Sequence, residues 1–318
     1  MSDDEYLSDE EKEDLAQHEE AQRARRRANK DIELEVFDAV RAPDADSPVV
    51  PIRLKGADSI NFRCHHGVSC WNQCCRGADI TLTPGDVPRI SARLGMETTE
   101  FLQTYTVPAM WDKANLPVAK MKMGNEDGKG PCPFVAEEGC TIYSDRPVTC
   151  RYYPLGLVSL KLKGDEEKDV FQFLVREAHC RGHDEEKVQT VNEFRLDQGL
   201  DEYENVNQGW IDILMKSASW ATVGGPHHQE IPPQVKQMFF MVSTDVGKFR
   251  QFVFGTRFLE TYEIDPEAVE ILKKDDSALL LLGFDWLKSV MFREPTIAMK
   301  EKVLQTAIAK AREELGTG

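Results

Sequence analysis

The stretch CPFVAEEGCTIYSDRPVTCRYYP, residues 132–154, sets three cysteines among proline, glycine and arginine rather than in an apolar run. Seven residues separate Cys132 from Cys140, and nine separate Cys140 from Cys150. Segments this short leave room only for short strands and helices between the cysteines. We therefore expect a small domain that is wrapped around them.

The other cysteines lie on either side of this stretch, and all eight fall between residues 60 and 181. The upstream run reads Cys64-x5-Cys70-x3-Cys74-Cys75, and Cys180 lies downstream. Free cysteines that pack as small apolar side chains would be scattered along the chain, whereas these are confined to about a third of it. We predict that all eight are metal ligands: Cys64, Cys70, Cys74, Cys75, Cys132, Cys140, Cys150 and Cys180.

The kind of metal follows from the ligand type and the spacing. Thiolates are soft ligands that suit zinc and iron–sulfur clusters, and four of them complete a tetrahedral zinc site or a [4Fe-4S] cluster. Zinc ribbons usually present C-x2–4-C pairs, and adjacent cysteines such as Cys74 and Cys75 point in different directions. The spacing favours an iron–sulfur cluster, with zinc as the alternative.

Three histidines lie beside cysteines in the sequence. His65 and His66 follow Cys64, and His179 precedes Cys180. Imidazole is a common metal ligand, so these side chains could replace a cysteine at the site. We interpret His65 and His66 as loop residues and His179 as a weaker candidate.

The block from Cys132 through Cys140-Thr-Ile-Tyr-Ser-Asp-Arg-Pro-Val-Thr-Cys150-Arg to Pro154 resembles the YkgJ-type cysteine-cluster proteins. Their shared segment is described as a zinc- or iron-chelating domain. The residues that match the first half of that segment are Cys70, Cys74, Cys75, Ile80–Thr83, Asp86, Arg89 and Ile90. The resemblance covers residues 60–181. Flagellin lysine N-methylases carry a similar cluster, so one branch of the resemblance implies protein-lysine methyl transfer.

Two arginines flank Cys150 in this block. A thiolate cluster carries net negative charge, and guanidinium groups can neutralise it and donate hydrogen bonds to sulfur. We predict that Arg146 and Arg151 support the metal site in this way. The alternative is that both are ordinary surface charges.

The overall charge restricts the partners. The chain has a formal net charge of −16, which repels nucleic-acid phosphates, so we expect no nucleic-acid partner. The longest apolar run, Ala278 to Gly283, is too short to span a bilayer, and the acidic start does not resemble a secretory signal. We therefore expect a cytoplasmic protein without a membrane partner. Because the thiol pool of the cytoplasm is reducing, the cysteines should bind metal rather than form disulfides.

Charge and hydrophobic patterning divide the chain into three parts. Residues 1–45 form a charged extension, with ten acids among the first twenty residues. Residues 46–182 form the cysteine-cluster domain, and residues 183–318 form a helical region without cysteine. The predicted fold class is α+β: a small cysteine-rich domain with short strands and helices, then a mainly α-helical C-terminal region.

Local signals predict individual elements. The cysteine region should contain a short strand at 79–82, a helix capped by Thr83 and ending near Gly95, a helix at 99–105, a strand at 117–123 and a hairpin of 155–162 with 170–175. The spacing of apolar residues from Val235 to Phe252 predicts one helix face. Further helices should start at Asp265 and cover 277–292 and 296–315. Plain core packing is the preferred role of Phe249, Phe252, Phe254 and Phe258.

Three classes of function follow from these observations. The first is an iron–sulfur protein that transfers electrons or matures another protein. The second is a protein-lysine methyl transferase, which only the family resemblance suggests. The third is a zinc module whose helical region binds a protein partner. The chain has no phosphate-cradling or dinucleotide-binding glycine motif to favour another enzyme class.

Overall fold

The computed structural model describes residues 49–160, 169–223 and 231–314. The predicted extension 1–45 lies outside the described residues. The strands are β1 (Val49–Leu54), β2 (Ser59–Asn61), β3 (Thr106–Trp111), β4 (Leu116–Met121), β5 (Val135–Ala136), β6 (Gly139–Cys140), β7 (Leu155–Leu160), β8 (Asp169–Val175) and β9 (Val188–Thr190).

The helices before residue 224 are α1 (Asp86–Leu94), α2 (Thr98–Tyr105), α3 (Val148–Tyr152), α4 (Val191–Gln198) and α5 (Leu200–Val223). Those after residue 230 are α6 (Pro233–Thr244), α7 (Val246–Gly255), α8 (Phe258–Thr261), α9 (Pro266–Leu272), α10 (Asp276–Phe292) and α11 (Glu301–Glu314). Short strands in small sheets followed by helices confirm the predicted α+β class. No helix in the described part of the chain is long and apolar enough to cross a membrane.

The described residues form two compact units: 49–62 with 154–160 and 169–191, and 63–153 with 192–223 and 231–314. The first unit holds a three-stranded antiparallel sheet in the order β1-β8-β7, and β2 pairs with β9. The pairing of β7 with β8, from Leu155 opposite Leu174 to Leu160 opposite Asp169, confirms the predicted hairpin. The domain boundaries at 46–182 and 183–318 stay a prediction.

In the second unit, α1 confirms the helix predicted after residue 83. Its end at Gly95 is also confirmed, because Gly95 has φ = 67°, a conformation that glycine adopts without strain. The predicted cap is wrong. Gly85 occupies the N-cap position, and the Asp86 carboxylate accepts hydrogen bonds from the Thr83 N–H and hydroxyl, both at 2.8 Å.

The hairpin of β3 and β4 follows α2, with six opposed pairs from Thr106–Met121 to Trp111–Leu116. The strand predicted at 117–123 is thus confirmed as β4. The strand predicted at 79–82 is reduced to an isolated bridge between Thr81 and Lys120, flanked by two backbone hydrogen bonds to β4.

The C-terminal helices of the second unit pack around an apolar core. Phe249 and Phe258 are buried in it, and Phe252 and Phe254 pack against it, which confirms the predicted packing role of these four. The single helix expected from Val235 to Phe252 is wrong, because α6 ends at Thr244 and α7 begins at Val246. Asp245 breaks the helix by capping α7, and its carboxylate accepts a hydrogen bond from the Lys248 N–H.

The later helix starts agree with local capping signals. The Asp265 carboxylate accepts from the Glu267 N–H at 2.7 Å, so the predicted start of α9 is confirmed. The helix expected over 277–292 is observed as α10, one residue longer at its start. The last helix begins at Glu301 rather than at residue 296.

Candidate metal centre

The second unit brings five cysteines close together on short elements. Cys74 and Cys75 end a 3-10 turn, Cys132 precedes the β5–β6 hairpin, Cys140 ends β6, and Cys150 lies in α3. The Cys132 N–H donates to the Cys75 carbonyl at 2.7 Å, which joins the upstream and downstream cysteine groups directly. The 56 residues between Cys75 and Cys132 in the sequence therefore do not separate them in space.

The apolar core beside these cysteines explains why they are partly buried. Cys132, Cys140 and Cys150 pack against a cluster that includes Leu82 and Phe134. Burial is the largest cause that raises the pKa of each of these three thiols. The thiols are therefore held in their protonated form at neutral pH, and a metal that binds them must displace protons.

Electrostatic interactions among the thiols show how near they are to each other. Burial raises the pKa of Cys150 to about 12, with smaller contributions from Cys132, Asp86, Cys140 and Cys74. The pKa of Cys75 is raised first by its hydrogen bond with Cys74 and then by burial. Because a negative charge on one thiolate disfavours a second, a bound cation would relieve this repulsion.

Two backbone N–H groups and one arginine favour the ionised thiolate form of Cys132 and Cys140. The N–H of Phe134 lowers the pKa of Cys132, and the N–H of Ile142 lowers that of Cys140, although burial outweighs both. The guanidinium of Arg146 also lowers the pKa of Cys140. These groups would stabilise a thiolate ligand once a metal has removed the proton.

The sulfur atoms of these cysteines do not surround a single point. Among the described residues, no three His, Cys, Asp or Glu side chains are arranged to hold a single ion. The donor set nevertheless fits a soft metal in its chemistry, since partly buried thiols are in electrostatic contact. Rotation about a single side-chain torsion moves each sulfur without moving the backbone.

The other three predicted ligands are Cys64, Cys70 and Cys180. Cys64 is exposed and Cys70 is half-buried, and both precede the 3-10 turn in the second unit. Cys180 belongs to the first unit. Whether these three cysteines bind metal stays a prediction.

The histidines beside the cysteines make contacts of their own. The His65 Nδ1 accepts a hydrogen bond from the Gly67 N–H at 3.1 Å. The His66 Nε2 lies 3.8 Å from the Glu138 carboxylate, and both side chains are exposed. His179, in the first unit, lies 3.3 Å from the Glu177 carboxylate. These contacts agree with the interpretation of His65 and His66 as loop residues.

Arg146 is buried, with 8% of its surface exposed, so it is not an ordinary surface charge. Its guanidinium donates to the Tyr143 carbonyl at 2.6 Å and to the Gln198 side-chain oxygen. It also lies 3.8 Å from the centroid of the Tyr143 ring. Arg146 therefore fixes the loop between Cys140 and Cys150 as well as acting on the Cys140 thiol.

Arg151 is equally buried and binds the same loop from its other end. It donates to the carbonyls of Arg146, Ser144 and Gln198. Its guanidinium lies 4.2 Å from the centroid of the Tyr203 ring, a cation–π contact. That Arg146 and Arg151 also donate hydrogen bonds to sulfur stays a prediction.

Asp86 belongs to the residues that carry the family resemblance, but the sequence predicted no role for it at the metal site. It is fully buried, and its carboxylate accepts hydrogen bonds from Thr83, from Arg89 at 2.7 Å and from the Val148 N–H at 3.0 Å. The last contact holds the first residue of α3, the helix that carries Cys150. Burial raises the pKa of Asp86, whereas Arg89 and Thr83 lower it.

Helix α5 supplies a second anchor for α3. The Tyr152 hydroxyl donates to the Glu204 carboxylate, and Arg195 donates to the same carboxylate at 2.7 Å. The Tyr203 ring lies within 4.2 Å of the guanidinium carbons of both Arg89 and Arg151. No local sequence signal marks these partners, because they lie about fifty residues from the cysteines that they support.

Comparison with known proteins gives one match. Residues 63–181 match the family model CxxCxxCC, described as a "Putative zinc- or iron-chelating domain". No curated protein and no solved structure matches the chain. The match spans the cysteines from Cys64 to Cys180 and confirms the resemblance inferred from the sequence.

Proposed function

We propose that the CxxCxxCC domain, residues 63–181, holds an iron–sulfur cluster of the [4Fe-4S] type and serves in electron transfer or in the maturation of another protein. The family description supports zinc or iron binding in general. The observation that carries the finer proposal is the set of five neighbouring thiols: Cys74, Cys75, Cys132, Cys140 and Cys150.

The proposed ligands come from this set. Four thiolates complete a [4Fe-4S] cluster, and five neighbouring thiols offer enough donors without any histidine. When bound, such a cluster supplies one-electron redox chemistry. The chain's own part is to hold the sulfurs in place through Asp86, Arg146 and Arg151 and to limit water access with apolar residues such as Phe134.

Zinc is the alternative, because the family description names it beside iron and the same thiols suit it. Anaerobic purification of the full chain followed by analysis of iron, zinc and acid-labile sulfide separates the two. We expect iron and sulfide in near-equal amounts and a brown colour from thiolate-to-iron absorption. A colourless protein with stoichiometric zinc would overturn the iron–sulfur proposal, and a protein without either metal would overturn metal binding itself.

Single Cys→Ala variants test the ligand set. Cys140→Ala and Cys150→Ala should lose the metal and lower the melting temperature, because metal binding contributes to folding free energy. Thr149→Ala is the matched control, since Thr149 is exposed and directly precedes Cys150 in α3. Full metal content and normal melting in both cysteine variants would show that the site assignment is wrong.

A further inference from the structure

A groove of about 700 Å³ lies in the second unit, away from the cysteines. Its walls come from α2, from the β3–β4 hairpin and from α6 with the start of α7. Its lining is mainly apolar, with Leu102, Met110, Phe240 and Met241 as its larger members. Grooves of this size bind small molecules or peptide side chains.

The strand β3 exposes apolar side chains at this groove. Met110 is 44% exposed and lines it, and Pro108, two residues earlier in β3, is exposed and lines it too. Methionine side chains are flexible and polarisable, so Met110 and Met241 can adapt to different apolar partners. An apolar groove with flexible side chains is typical of a surface that binds another chain.

Besides β3, strand β4 has a second neighbour, residues 80–82. The hydrogen bonds to this segment show in which direction the backbone groups of β4 point. The Met121 N–H donates to the Ile80 carbonyl at 2.8 Å, and the Ala119 carbonyl accepts from the Leu82 N–H at 2.9 Å. Residues 119 and 121 therefore direct their backbone groups away from β3.

Along two antiparallel strands, opposed residues alternate. One pair exchanges backbone hydrogen bonds, and the residues of the next pair direct their N–H and C=O groups away from each other. Ala119 lies opposite Pro108 and Met121 lies opposite Thr106, so Thr106, Pro108 and Met110 direct their backbone groups to the outer edge of β3. In the part of the chain that the structure describes, β3 pairs with β4 alone. The N–H and carbonyl of Met110 and the carbonyl of Pro108 are thus placed to pair with an added strand.

The charged side chains at the groove are mainly basic. Lys236 and Lys248 line it, and Lys236 has no ion-pair partner among the described residues. The one carboxylate of the lining, Asp245, is 2% exposed and accepts hydrogen bonds from the hydroxyls of Thr98 and Thr99 at 2.7 Å. In a chain with a net charge of −16, the groove is therefore a local site for a negative group.

We infer that this groove docks an extended segment of a partner protein that carries apolar side chains and at least one carboxylate. The segment adds as a strand to the outer edge of β3, its alternate side chains lie over the groove, and its carboxylate pairs with Lys236. A fatty acid would offer apolar and negative groups but no main-chain donors or acceptors for the strand edge. The inference does not depend on which metal the cysteines bind.

Peptide display on the full chain tests this inference. A phage library of random peptides of about 10 residues, the length of a long strand, is selected against the wild-type protein. Enriched peptides are synthesised, and their affinities are measured by fluorescence anisotropy. We expect them to combine apolar residues with Asp or Glu and to bind more weakly as salt concentration rises.

Two variants locate the binding. Lys236→Glu should weaken the peptides about tenfold or more through charge reversal. Met110→Pro should weaken them by a similar factor, because it removes the edge N–H at a position where an edge strand tolerates proline. Lys302→Glu makes the same charge change at an exposed position of α11 and should alter affinity by less than about twofold.

Several outcomes would overturn the inference. They are the absence of enriched peptides, enrichment of peptides without acidic residues, and equal binding to wild type and Lys236→Glu. Displacement of the peptides by dodecanoate would assign the groove to a fatty acid, and self-association of the chain that Met110→Pro abolishes would assign the edge to a second copy. Since Lys236→Glu changes a surface residue, its result stands even if Met110→Pro does not fold.

Discussion

At the scale of single residues, Asp86 links three segments around the cysteines. Its carboxylate accepts from the loop residue Thr83, from Arg89 in α1 and from the Val148 N–H at the start of α3. None of its surface is exposed. A buried carboxylate is tolerated only when it is paired and hydrogen-bonded, so each of these contacts matters for stability.

Removing the Asp86 carboxylate should therefore be costly. Asp86→Ala leaves the Arg89 guanidinium and the Val148 N–H without their acceptor, and we expect a loss of about 3–5 kcal/mol in the free energy of unfolding. Asp79→Ala removes an exposed ion pair with Lys120 and should cost less than about 1 kcal/mol. Urea denaturation of both variants measures the difference, and similar losses would contradict the role given to Asp86.

A second residue-scale prediction concerns Cys150 in the metal-free protein. Its pKa is raised from 9.0 to about 12, chiefly by burial. Below pH 9 the thiol is protonated in both states, whereas between about pH 9 and 12 only the unfolded chain ionises. Stability should therefore fall as pH rises through this window, by up to about 1.4 kcal/mol per pH unit.

Metal-free Cys150→Ala is the control for this pH dependence, because other groups that ionise above pH 9 are the same in both proteins. The wild-type protein should lose stability more steeply than the variant when denaturation is measured across the window. If the stability of both proteins fell equally with rising pH, burial would not be holding the Cys150 thiol in its protonated form.

At the scale of elements, close approach between helices sets the packing of the second unit. A Cβ atom at Gly283 in α10 would lie 2.5 Å from a methyl carbon of Val242 in α6 and 2.9 Å from the ring of Phe249 in α7. Such distances are too short for carbon atoms, so the absence of a side chain at Gly283 lets the three helices meet.

Gly283→Ala should accordingly destabilise the protein. We expect a loss of about 1–3 kcal/mol from overpacking. Gly255→Ala is the matched control in α7, because a Cβ there meets nothing within 4 Å. It should be neutral or stabilise by up to about 1 kcal/mol through helix propensity. Thermal denaturation of the pair checks this, and equal effects would contradict the close approach.

The limits of the helices also show which structural features can be predicted from neighbouring residues in the sequence. The end of α1 at Gly95 and the start of α9 at Asp265 are predictable, because the residues that decide them lie within the same turn. The break at Asp245 is not, since its neighbours continue the apolar spacing of a helix. The hydroxyls of Thr98 and Thr99, about 146 residues away, hold the Asp245 carboxylate in place there.

At the scale of the whole molecule, metal binding should be linked to folding. The thiols of the proposed site come from segments far apart in the sequence, so a metal that joins them cross-links the second unit. Treating the metal-loaded protein with a chelator should lower its melting temperature by more than about 5 °C.

Cys150→Ala provides the control for this prediction, because a protein that has already lost its metal should show no further shift with chelator. Differential scanning calorimetry before and after chelation measures both proteins. An unchanged melting temperature in the wild-type protein, despite complete removal of metal, would mean that the metal does not support the fold.

The sequence by itself determined the cysteine cluster, the family resemblance, the α+β class and the elements whose limits depend on near neighbours. Only the tertiary structure decided that Cys75 meets Cys132, that Asp86 holds α3 and that Gln198 accepts from Arg146. The physical reason is distance along the chain. Caps, turns and periodicity act within a few residues, whereas these contacts join residues about fifty or more positions apart and exist only once the core has packed.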